Sequence, residues 1–95
     1  MEDDAEKKQY KKELFIKLLL MLRAGALSQL GIIENPVTKK KEVKLDLARE
    51  TIDMLDLLVE KTSGNLTDAE DEMLKNLITE LHLAYVKAEN ESKNE

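Results

Sequence analysis

The sequence predicts an all-α fold, a three-helix domain in which an apolar helix 1 joins an antiparallel hairpin of helices 2 and 3. Three observations carry this. Apolar residues recur at helical spacing in three stretches, at about 10–30, 46–62 and 68–88. Gly31, Asn35-Pro36 and Gly64 fall between those stretches, where helices stop. Thr67-Asp68-Ala69-Glu70 has the spacing of a capping box at the head of the third stretch.

Residues 1–9 are charged and lack apolar periodicity, so they are expected to form a disordered N-terminus. Helix 1 follows over 10–30, with Gly31 placed for a left-handed C-terminal cap. From Leu14 to Leu22 every residue except Lys17 is apolar, and Lys17, Arg23, Ser28 and Gln29 share no single face. A helix apolar on all sides needs cover on all sides, more than two partner helices supply. Self-association is therefore expected, with a dimer favoured, making an oligomeric helical bundle. The expected interface is Leu14, Phe15, Leu18, Leu19, Leu22, Gly25 and Ala26. Another protein could occupy the same face. A membrane span is disfavoured, because Arg23 near the centre of the 14–33 window costs about 2.5–3.5 kcal/mol.

The segment 31–45 breaks the helical period. Ile32-Ile33 and Val43 with Leu45 can pair as a short β-ribbon, although an isolated hairpin is marginal. In helix 2, Ala48, Thr51, Ile52, Leu55, Leu58, Val59 and Thr62 form a stripe. Leu74, Leu77, Ile78, Leu81, Ala84, Tyr85 and Ala88 repeat its spacing in helix 3. The short turn between them makes the two helices antiparallel neighbours. Residues 89–95 read as a polar C-terminal tail.

Composition narrows the function. The chain of 95 residues has no cysteine, which removes disulfides, thiolate metal sites and thiol nucleophiles and favours a cytoplasmic setting. Residues 1–45 hold ten Lys and Arg against seven Asp and Glu, whereas 46–95 hold five against thirteen. The net charge of −5 argues against a wholly nucleic-acid-binding surface. Lys7, Lys8, Lys11 and Lys12, with Lys39-Lys40-Lys41 and Lys44, could touch phosphates, but aromatic stacking platforms are scarce.

No catalytic pattern emerges. His82 is the one histidine, and its helical neighbours Ile78, Thr79, Tyr85 and Val86 offer no ligand or acid. Asp53, Asp56 and Glu60 share a helix face, which reads first as a solvated surface. Phosphate loops, nucleophile elbows and zinc spacings are missing, so no enzyme activity, cofactor or metal is expected.

One pattern is more specific. Leu30-Gly31-Ile32, Asn35-Pro36, Glu42-Val43-Lys44-Leu45, Ala48 to Asp53 and above all Glu60-Lys61-Thr62-Ser63-Gly64-Asn65-Leu66-Thr67 resemble the family called domain of unknown function 1844. The resemblance spans about Leu14 to Ala88 and implies a bacterial helical protein without an established activity. The family's loop carries a Pro-x-Thr-Gly turn, whereas here Pro36-Val37-Thr38 is followed by Lys39. Helix capping accounts for most of the signature but leaves Asp53, Glu60 and Lys61 unexplained. The expected function is non-catalytic, through self-association or protein–protein interaction. Membrane-surface association through helix 1 and weak nucleic-acid binding through the lysines are the alternatives.

Overall fold

The structure, a computed structural model, describes residues 2–93. It has three helices: α1 over Glu2–Gln29, α2 over Leu45–Lys61 and α3 over Asp68–Lys93. Helix α1 thus takes in the charged segment expected to be disordered. Glu, Lys, Ala and Gln are good helix formers, and extending an existing helix is cheap once it is nucleated. The same reason carries α3 past Ala88 to Lys93. Met1 and the last two positions of the expected tail lie outside the described residues.

Each helix end has a local cause. At the end of α1, the Gly31 N–H donates to Ser28 O at 3.0 Å and the Ile32 N–H to Leu27 O at 2.9 Å, with Gly31 at φ 77°. That is a Schellman cap, which satisfies carbonyls a helix end otherwise orphans. At the head of α3 the capping box is formed. The Thr67 N–H donates to Glu70 Oε1 at 2.9 Å, and the Glu70 N–H donates to Thr67 Oγ1 at 3.1 Å. Asp68, Glu70 and Asp71 in the first turn suit the positive end of the helix dipole.

The anticipated β-ribbon shrinks to one antiparallel bridge, Leu30 with Val43. Asn35 shapes the loop instead. Its side-chain oxygen accepts from the Val37 and Thr38 N–H groups at 2.8 and 3.2 Å, and its backbone pairs with Lys39 N and Lys40 O. Such an Asx turn gives the backbone partners that a ladder would have supplied. Lys39 closes it at φ 62°, a left-handed conformation that glycine adopts without strain.

Helices α2 and α3 are antiparallel. The Arg49 guanidinium sits 5.9 Å from the centre of the Tyr85 ring, and Asp56 lies 3.6 Å from His82, so numbering rises along one helix as it falls along the other. Helix α1 packs across both. The core joins Leu19 and Ala26 of α1, Ile52 and Leu55 of α2, and Leu74, Leu77, Ile78 and Leu81 of α3. Phe15, Leu22, Leu58, Val59, Leu66, Met73 and Tyr85 pack around it. Among the described residues Thr51 is the buried polar side chain, and its hydroxyl donates to Gln29 Oε1 at 2.7 Å.

Candidate association surface

The core takes one side of α1 and leaves the other bare. Leu19 is fully buried, yet its neighbour Leu18 is 43% exposed, Leu14 46% and Met21 64%. Successive helical residues point about 100° apart, so a single core cannot cover a helix that is apolar all round. Leu14, Leu18, Met21, Gly25 and Ser28 follow the alternating four-and-three spacing of one helix face. Leu20 is exposed toward another side of α1, and Leu57, Leu83 and Val86 are exposed on α2 and α3.

Toward its C-terminal end this face becomes the floor of a groove of about 590 Å³. Met21, Ala24, Gly25 and Ser28 form the floor, Ile33 and Val37 of the loop form one wall, and Leu47 of α2 contributes to the other. Glu34, Asn35, Glu42 and Lys44 supply polar groups to it. Small residues make the floor low. A Cβ added at Gly25 would meet nothing within 4 Å. The Asx turn at Asn35 holds the loop wall in place.

The expected interface residues separate into two groups. Leu19 and Ala26 are core, and Phe15 and Leu22 pack against it, so these four serve the chain's own fold. Leu14, Leu18 and Gly25 lie outside that core cluster, on the outward face. Met21, Ala24 and Ser28 belong with them and were missed, because a helix apolar on every side does not reveal which side faces inward.

The polar candidates do not converge. Asp53, Glu60 and Lys61 are exposed on α2, where Asp53 accepts from the Arg49 guanidinium at 3.2 Å. That bond, then the carboxylate charge, raises the Arg49 pKa. Among the described residues no group of three or more His, Asp or Glu could hold a metal ion. His82 faces Asp56 of the neighbouring helix at 3.6 Å, a partner that helical spacing within α3 could not show. The two lysine clusters lie apart, since Lys7, Lys8, Lys11 and Lys12 sit in the N-terminal half of α1 whereas Lys44, whose N–H donates to Gln29 O, sits at its C-terminal end, about 26 Å or more along the helix. Among the described residues no helix is long and apolar enough to cross a membrane.

Fold and surface together define a small all-α domain of three helices with an uncovered apolar face on the first. The chain belongs to the family described as Domain of unknown function (DUF1844), whose family model matches residues 12–87. No curated protein and no solved structure matches the chain.

Proposed function

We propose that the protein acts by association and not by catalysis, with the outward face of α1 and its groove as the contact surface. The observation that supports this is the exposure of Leu14, Leu18 and Met21 beside an apolar groove. Soluble monomers rarely leave a contiguous apolar surface of this kind in water. A second copy of the chain is the first partner we assign to it, since two-fold homodimers are the commonest assemblies. A bacterial source is what the family resemblance implies, and a chain without cysteine suits a reducing, cytoplasmic setting.

The test is the absolute mass in solution, by light scattering behind a sizing column at two concentrations. A mass at a whole multiple of 10.9 kDa that survives dilution supports self-association. A well-behaved monomer removes it. Flotation with anionic vesicles then tests lipid on that face, and salt-dependent binding to nucleic acid tests the lysines of the N-terminal segment and the loop.

A further inference from the structure

We propose that two copies pair through α1 in antiparallel register about a two-fold axis at Met21, each seating its Leu14 and Leu18 in the other's groove. This rests on the self-association proposed above and names its geometry.

The outward stripe is graded. Its N-terminal half carries the bulky Leu14 and Leu18, whereas its C-terminal half carries Ala24, Gly25 and Ser28. A two-fold axis at Met21 brings together positions equally far on either side of it. Leu14 then faces Ser28 of the second copy, and Leu18 faces Ala24 beside Gly25. Each leucine of the stripe meets a small residue and Met21 meets its own copy on the axis, an arrangement that suits close packing. Parallel pairing would set leucine on leucine at one end and leave a gap at the other. The contact is self-complementary, as a closed dimer requires.

The groove has room for this occupant. Open space above Gly25 and the apolar walls Ile33, Val37 and Leu47 receive a leucine from outside. Val37 is 86% exposed in the single chain, so its apolar surface gains cover.

At the groove lining itself, where Glu34 and Glu42 stand against Lys44, charge favours the same direction. The last turn of α1 has no basic residue to answer the negative end of its dipole, and Glu34 and Glu42 stand nearby on the groove. The nearest cation to Glu42 is Lys44 at 3.9 Å. Antiparallel pairing lays the first turns of the second α1 there, bringing its Lys8 and Lys11. These turns are free for it, since residues 4–14 are all exposed.

Because the chain has no cysteine, single substitutions read the register directly. Met21→Cys, mildly oxidised, gives a disulfide-linked dimer. Leu14→Cys alone does not, because its two copies lie about 21 Å apart along the axis, beyond disulfide reach. Leu14→Cys mixed with Ser28→Cys does cross-link. Cross-linking by Leu14→Cys alone means parallel pairing and overturns the proposal. A dimeric mass with no link at Met21→Cys or in the mixture places the contact elsewhere, which overturns this geometry and leaves self-association standing. A monomeric parent chain overturns both. As a second arm, Gly25→Leu fills the floor, and its Cβ meets nothing within 4 Å in the single chain. It should raise the dimer dissociation constant at least tenfold with helix content unchanged, and an unaltered dissociation constant overturns the proposal.

Discussion

The Arg23 guanidinium meets the Glu80 carboxylate edge-on, Nε to Oε1 at 2.8 Å and Nη2 to Oε2 at 2.7 Å, and so clasps α1 to α3. The two fork-like groups match, which gives the contact direction as well as charge. The hydrogen bonds from Arg23, with help from its charge and against some desolvation, hold the Glu80 carboxyl below its ordinary range. Both side chains are more than a third exposed, so the pair contributes at most about 1 kcal/mol.

A carboxylate with a lowered folded-state pKa stabilises the fold above its unfolded value, and that stability is lost as pH falls through the folded one. Glu80→Gln should therefore cost up to about 1 kcal/mol at neutral pH. Its deficit should be level down to about pH 5 and close as the pH falls below about 4.3. Urea melts of parent and variant from pH 7 to 3 would show this, and a deficit that widens in acid would contradict it.

Leu18 and Leu19 are adjacent and have opposite roles. Leu19→Ala leaves a core cavity and should cost about 2–5 kcal/mol of folding stability. Leu18→Ala should change the stability of the monomer by only about 1 kcal/mol, since 43% of the residue is already exposed. It should instead weaken association. Denaturant melts at low protein concentration, paired with dilution series by light scattering, separate the two effects.

Thr51 ties α2 to the end of α1 through Gln29. Thr51→Val keeps the shape and removes the hydroxyl, so it should cost about 1 kcal/mol. Thr51→Ser keeps the donor and should recover part of that in the same melts. A loss in Thr51→Ser with none in Thr51→Val would mean that the methyl group, and not the bond, matters there.

Lys39 carries the backbone strain of the loop. Lys39→Gly should stabilise the protein by about 0.5–1 kcal/mol, because the left-handed conformation costs an L-residue about 1–2 kcal/mol and glycine's extra unfolded-state freedom offsets part of the gain. Thermal melts would register the gain as a rise in Tm, and a fall would contradict the reading.

Much of this architecture was legible residue by residue. The Thr67–Glu70 capping box and the Gly31 cap form within a few residues of chain, so local spacing reveals them. The stripes holding Ile52, Leu55, Leu74 and Leu81 were legible because a one-sided apolar period states which side goes inward. The helical character of the charged segment before Tyr10 was missed, since it rests on propensity without an apolar stripe. Arg23 with Glu80 and Asp56 with His82 were also missed, because charges on different helices carry no common period.

By itself, then, the sequence determined three helices, their stops and caps, and the inward faces of α2 and α3, all of which follow from spacing over a few turns. Only the tertiary structure decided which side of α1 is core. Leu14, Leu18, Leu19 and Leu22 are chemically alike, and the choice among them is made by where the α2–α3 hairpin lies. The groove follows from that choice, since it exists only where the Asn35 loop and Leu47 fold back beside the small residues on the opposite side of the helix.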